Sequence, residues 1–412
     1  MTPSALSIPA YRRYATGAAF WFTATRMQRV AVAWSVWSAT QSATWLGILT
    51  VAELLPILLL SSYAGVLVDR YGARRMLALA LALSVAQNLA LFAFVYAGAG
   101  SAIVFIGATL AFGFIASLGT PAELAMVPFV VGRENISSAI SWNGVIINAS
   151  LFAGPAFGSW VLDELGLALT ILLCTCMSLV FFFVVIAGKS VPEAVIAQAR
   201  AEPVARGGAM LSEFAMMISS PVVVMIVACA AVSVGGRAVI QIMASFVGNS
   251  LHGGPQLLGW CTSAAGLGAI AGSLIAGRFK SEGQLFRLIG LQLVVTALLL
   301  FAIPVMPSIS AVLAALTLFG MTLGLNGVGT QSYVQMYAPE RNQGRMLGYY
   351  VTFNRGGIAI GSLILSAAGA SYGDRWSMWV GGAIVIAAAV YVPTAHARWL
   401  RANMRMRESS SF

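Results

Sequence analysis

Twelve apolar runs of about twenty residues each, closely spaced along 412 residues, leave this chain little choice of fold. In hydrocarbon every backbone amide has to be bonded within the chain itself, so such runs become helices that rise about 1.5 Å per residue. They fall at about 15–38, 45–65, 76–97, 102–128, 137–162, 167–188, 219–248, 256–277, 285–304, 309–337, 345–370 and 377–396. A soluble globule is excluded, because a chain with 59% apolar and 9% charged residues cannot cover itself with polar surface.

Most connections between the runs are short and rich in Gly, Pro, Ser and charge. Residues 189–218 are the exception, a longer polar stretch in which Pro192 and Pro203 prevent a continuous helix. They divide the chain into an N-terminal six-helix bundle over 1–188, a cytoplasmic linker over 189–218, a C-terminal six-helix bundle over 219–396 and a basic tail over 397–412. The N-terminus lacks an apolar signal region with a cleavage site, so no removable signal peptide is expected.

Orientation follows from the basic residues, which are retained on the cytoplasmic side near span ends. With both termini cytoplasmic, eighteen Lys and Arg fall on that side and only Arg375 on the other. The remaining four of the 23 basic residues lie inside spans. Topology therefore accounts for the net charge of +10, and no nucleic acid is called for. The tail sequence HARWLRANMRMR is suited to anionic lipid headgroups.

The two halves also look like copies. Leu46-Gly47-Ile48-Leu49-Thr50 opens the second span and Leu258-Gly259-Trp260-Cys261-Thr262 opens the eighth, 212 residues later. Arg26 in the first span finds Arg237 in the seventh at nearly the same offset, and both Leu-Gly spans end in small and apolar residues, an Arg and an aromatic. Internal repeats of this kind are expected of transporters that bind between two halves. The expected fold is thus an all-α membrane protein of twelve transmembrane helices in two pseudo-symmetric six-helix bundles.

The loop after the second span, Gly65-Val66-Leu67-Val68-Asp69-Arg70-Tyr71-Gly72-Ala73-Arg74-Arg75, closely resembles the major facilitator motif G-x-L-x-D-R-x-G-x-R-R in its expected place. The resemblance implies a cytoplasmic gate of Gly65, Asp69, Arg70, Gly72, Arg74 and Arg75 that latches the halves when the cavity opens outward. Gly154-Pro155-Ala156-Phe157-Gly158 in the fifth span is similar to the core of the motif associated with proton-coupled exporters, although Ser150 and Ser159 stand where Gly is often found. That assigns Gly154, Pro155 and Gly158 a conformational part; close packing of any bundle would use the same residues. The order of features resembles the enterobactin-exporter and drug-exporter branch of the superfamily: an Arg-Arg-Tyr start, Gln28, Trp34, Glu53-Leu54-Leu55-Pro56, then the loop motif.

Four arginines inside the membrane carry the functional reading: Arg26, Arg29, Arg237 and Arg355. At about 2.5–3.5 kcal/mol each on insertion scales they should face the bundle interior or a watery cavity. Arg26 and Arg29, three apart, share one helical face. The intramembrane acids are Glu53 and Glu123, so pairing leaves about two positive charges over, and an anionic substrate is the simplest partner for them. Guanidinium suits carboxylate or phosphate through paired, planar hydrogen bonds. Bonding to backbone carbonyls or to Asn148, Gln241, Asn326 and Gln331, or snorkelling to a surface, are the structural alternatives. Asn148 and Trp34 complete the expected substrate-binding set. Glu53 is placed to carry a coupling proton, with Glu123 as a second candidate; a static Glu53–Arg pair stands beside that reading.

Other chemistry is not indicated. The two His are far apart and the four Cys lie within spans, so neither a metal cluster nor a nucleophile is suggested, and no phosphate-binding loop is present. The expectation is a monomeric inner-membrane transporter without cofactor, not an enzyme, exporting a small organic anion or siderophore against protons. A broad-spectrum drug exporter and an importer of an organic anion or ferric siderophore are the alternatives.

Overall fold

The computed structural model describes residues 5–131, 135–188, 221–279, 281–337 and 343–409. The linker expected over 189–218 lies outside the described residues. Six helices precede it: α1 Pro9–Thr40, α2 Ala43–Tyr71, α3 Ala73–Tyr96, α4 Ala102–Val131, and the run Ile136–Ala187, which Gly166 divides into α5 (136–165) and α6 (167–187). The break is sharp because Gly166 takes φ 78°, a left-handed conformation that costs a residue with a Cβ. Six follow: α7 (221–250, interrupted), α8 Pro255–Ala276, α9 Glu282–Ala302, α10 Ile309–Tyr337, α11 Gln343–Tyr372 and α12 Asp374–Ser409. The last helix continues past Pro393 through the stretch read from sequence as a separate tail.

Most of these helices are long and apolar enough to cross a membrane by composition alone, but α1, with Arg12, Arg13, Arg26 and Arg29, is not. Its place among the spans is set by packing, since its glycine and small-residue face is covered by α5 and α6. Gly17 lies against Phe181 of α6, and a Cβ at Gly158 of α5 would stand 2.7 Å from Met27 Cα. Small residues allow this approach, which in lipid replaces the hydrophobic drive as the source of helix attraction.

Within the second half, α8 and α10 meet through reciprocal glycines. Gly268 and Gly272 abut the backbone at Thr317 and Met321, while Gly320 and Gly324 abut that at Ala265 and Ala269. Because the obstructing atoms are backbone, no rotamer change relieves them. Gly320→Leu is expected to destabilise the protein by about 3 kcal/mol through overpacking, seen as a lowered melting temperature in detergent, whereas Gly290→Leu, where the space is open, should not.

Between halves, α5 packs on α8 and α2 on α11, a pair of contacts related by the same pseudo-symmetry as the sequence repeat. Gly47 of α2 meets Ser362 and Ser366 of α11; Gly259 of α8 meets Pro155 and Ser159 of α5. Ser263 donates to the Phe152 carbonyl at 2.8 Å, and Gly248 of α7 lies under the Trp37 ring of α1. All these contacts cluster toward the end away from the termini. Toward the basic, terminus-bearing end, Gly65, Gly144 and Gly348 face open space. Among the described residues, these contacts between the halves therefore gather at the end away from the termini.

Candidate functional site

Between the halves lies a cavity of about 640 Å³, within the range of small-molecule sites. α1 contributes Arg26 and Arg29, α2 Thr50 and Glu53, α5 Asn148 and Pro155, α7 Arg237 and Gln241, α8 Thr262, α10 Gln331, and α11 Tyr350 and Asn354. The repeat seen in sequence now has a physical meaning. Thr50 and Thr262 line the cavity at matched positions, each hydroxyl bonded back to its own helix, to Leu46 O at 2.9 Å and Leu258 O at 2.8 Å.

Arg29 and Glu53 form an ion pair across α1 and α2, with Glu53 only 7% exposed. Arg26, one turn away, makes no ion pair or hydrogen bond among the described residues. Its stem is pressed from behind by Gly154 of α5, and its Nε is buried without a partner. The charges it senses are Arg29 and Arg355, which repel it, and Glu53, which is already engaged by Arg29. Such an arrangement costs free energy that a carboxylate or phosphate in the cavity would recover.

Arg237 is held differently. It sits at the end of a π-helical turn, Ser233–Arg237, where Gly235 presses on Gly381 of α12 and Gly236 on Leu323 of α10. A wide turn of this kind moves side chains out of α-helical register and is frequent at functional sites. Nη1 donates to Ser233 Oγ and to Asn326 Oδ1, both at 3.2 Å, and Nη2 to the Leu323 carbonyl at 2.9 Å. No carboxylate is among its partners. The Gly235-Gly236 pair was the sequence signal for this irregularity, which the reading of 219–248 as one plain span passed over.

The remaining expected residues divide. Asn148 lines the cavity and donates to the Gly144 carbonyl at 2.8 Å. Arg355 is exposed and close enough to Arg29 and Glu53 to sense their charges, yet it does not line the cavity. Trp34 packs on Trp37, ring centroids 4.9 Å apart, and is likewise outside the lining. Glu123 is buried in the first half, accepts from Asn143 Nδ2 at 3.0 Å and pairs with no arginine among the described residues. The expectation that both acids pair with arginine therefore holds for Glu53 only, and three intramembrane arginines, not two, lack a carboxylate among the described residues.

At the loop motif Gly72 makes the turn between α2 and α3, and Arg70 lies over the Tyr71 ring at 5.4 Å. Arg74 donates to the carbonyls of Val185 at 3.0 Å and Ile186 at 2.5 Å, so it caps the C-terminal end of α6. Arg75 is exposed. A Cβ at Gly65 would meet no atom of the described residues within 4 Å.

Sequence reasoning did not single out Tyr350 and Asn354. Four residues apart on α11, they present one face to the cavity, with Tyr350 Oη donating to Gly327 O at 3.0 Å and Asn354 Nδ2 to Cys229 Sγ at 3.3 Å. Their spacing within a polar stretch of a span, Tyr349 to Arg355, was the available signal.

Known proteins of similar sequence and shape agree with this architecture. The Staphylococcus aureus staphyloferrin A transporter is 29% identical over 136 residues, 32% of this chain and 34% of that protein. The enterobactin exporter EntS of Salmonella choleraesuis is 28% identical over 260 residues, 63% of this chain and 61% of that one. The alignments thus span about a third and about three-fifths of those relatives. Among solved structures, the nucleoside transporter NupG superposes with a TM-score of 0.75 at 10% identity, covering 94% of this chain and 99% of that one. A bacterial homologue of the iron transporter ferroportin in an inward-facing state gives 0.70 at 14%, covering 95% and 98%. The profile of the transmembrane secretion effector family matches residues 3–410, and with twelve helices in two bundles around a central cavity the chain belongs to that family of major facilitator membrane transporters.

Proposed function

We propose that this protein exports a small organic anion, of the carboxylate-bearing siderophore type, across the bacterial inner membrane by alternating access, with protons moving inward. The observation that carries the reading is Arg26, a cation at the wall of the central cavity with a buried and unpartnered Nε. Arg237 adds a second cation from the opposite half. The siderophores in the names of two relatives are consistent with such a cargo. With the basic end in the cytoplasm, the contacts between the halves lie at the outer end, which fits a state in which an exporter loads from inside. Glu53 is the coupling residue in this scheme: it takes up a proton from the far side when the emptied cavity faces outward and releases it to the cytoplasm on return, restoring its pair with Arg29 before the next ligand loads.

The test is thermal stabilisation of the purified protein at low salt, where exposed charges are least screened, by citrate and separately by a cationic dye. At citrate a hundredfold above its Kd the wild type should gain about 2.7 kcal/mol of stability. Arg26→Gln is expected to lose this response while its ligand-free melting temperature stays level or rises, since an unpaired buried charge has been removed. Stabilisation by the dye alone, unchanged in the variant, would overturn the anion site and leave a drug exporter.

A further inference from the structure

The donor and acceptor logic around Arg237 extends well beyond the cavity wall. A guanidinium only donates, so Asn326 must turn its Oδ1 to Arg237, and its Nδ2 is thereby thrown to the other side. There it needs an acceptor, which is Gln292 Oε1 of α9 at 3.3 Å. Gln292 is in turn forced to present Nε2 to Thr296 Oγ1 at 2.8 Å, and Thr296 meets Thr322 Oγ1 of α10 at 2.8 Å. Thr322 donates to the Phe319 carbonyl at 2.7 Å, where the chain ends on backbone. Asn326 and Thr296 are fully buried, and Gln292 and Thr322 are exposed by no more than 4%. Every polar atom of the two amides in this chain has a partner, which is the condition under which a buried polar network specifies one arrangement.

We propose that Asn326, backed by Gln292, is a specificity-determining positioning residue that locks Arg237 while leaving its charge unneutralised for the substrate. This rests on the anion site proposed above. A carboxylate at position 326 would hold Arg237 equally well but would cancel its charge, as Glu53 does for Arg29 in the other half. The neutral amide orients without cancelling. With Nη1 used on Ser233 and Asn326, and Nη2 on Leu323, the Nε hydrogen and one Nη2 hydrogen remain for a ligand at the cavity wall. The two halves accordingly divide the work: the first half's Arg29 is neutralised and exchangeable, and the second half's Arg237 is a fixed positive anchor.

Asn326→Asp separates this from a structural role, because the two side chains have nearly the same shape. The variant loses the Nδ2 donor to Gln292, so the Gln292 amide must flip to turn Nε2 to the new carboxylate and Oε1 to the Thr296 hydroxyl; with that flip and a gained ion pair it is expected to melt within a few degrees of the wild type without ligand. Its citrate Kd, from the same thermal titration at low salt, should rise about tenfold or more. In an Arg237→Gln background the same substitution should add nothing further to the citrate Kd, since its effect passes through Arg237. Gln292→Leu, at a residue that does not line the cavity, should weaken citrate binding by a smaller factor. Unchanged citrate affinity in Asn326→Asp, or a loss that persists undiminished without Arg237, would overturn the inference while leaving the anion site intact. A wild type and an Arg26→Gln variant equally indifferent to citrate would overturn the anion site itself, and the inference with it.

Discussion

Glu53→Gln is expected to leave a folded protein that binds citrate about tenfold more tightly than the wild type yet no longer accumulates it under an imposed proton gradient in proteoliposomes. The amide keeps an oxygen for Arg29 but carries no charge, so Arg29 becomes available to the ligand, and a single regained charge-assisted bond is worth about a factor of ten. What the amide cannot do is gain and lose a proton. Removing one member of a buried pair costs about 3–5 kcal/mol when the other charge is stranded. Here Arg29 is 35% exposed in the cavity and keeps a hydrogen-bond acceptor, so about 1 kcal/mol is the expected loss of stability. Glu53 also borders a second, small pocket among α1, α2 and α4, lined by Thr25, Gln28 and Thr109 together with Val32, Leu49 and Phe112. Full proton-driven accumulation by Glu53→Gln would reduce the pair to a structural contact.

Gly259→Leu is expected to stop transport by preventing the far end from closing. A Cβ at this position would lie 2.8 Å from the Pro155 carbonyl and fall on the Ser159 side chain, both in the other half. The contact exists only when the halves meet there, so the substitution acts on one state of the cycle and spares the packing inside each bundle. An overpacking penalty of about 1–3 kcal/mol against that state shifts the equilibrium by about 5–150-fold toward far-end opening. The check is a cysteine introduced at Thr262, on the cavity wall, and its labelling by a membrane-impermeant maleimide. Labelling from the far side should rise in Gly259→Leu, and Gly47→Leu should do the same through Ser362 and Ser366 of α11. Unaltered labelling in both would mean that these glycines do not control closure.

The existence of both glycines in matched motifs was legible in the sequence, and so were the twelve spans, the long break between the halves and the candidate arginines. Each of these depends on composition and spacing along one helix, and the bilayer makes such local information decisive: an apolar run has no stable alternative to the helix. The loop motif was legible for the same reason, as a contiguous string. Glu123 shows the limit. As a carboxylate in a span it stood as a second candidate behind Glu53, but α5 supplies it with Asn143, whereas α1 supplies Glu53 with Arg29. Trp34 was placed in the expected binding set from its position on α1, and its ring instead packs on Trp37 outside the cavity lining.

By itself, then, the sequence determined that this chain is a helical membrane protein in two repeated halves, because hydrophobic length and repetition are properties of single segments. Only the tertiary structure decided which cations are neutralised. Arg29 found a carboxylate, Arg237 a chain of neutral amides and Arg26 no partner, since each outcome depends on which side chain a neighbouring helix brings within about 3 Å, the reach of a hydrogen bond.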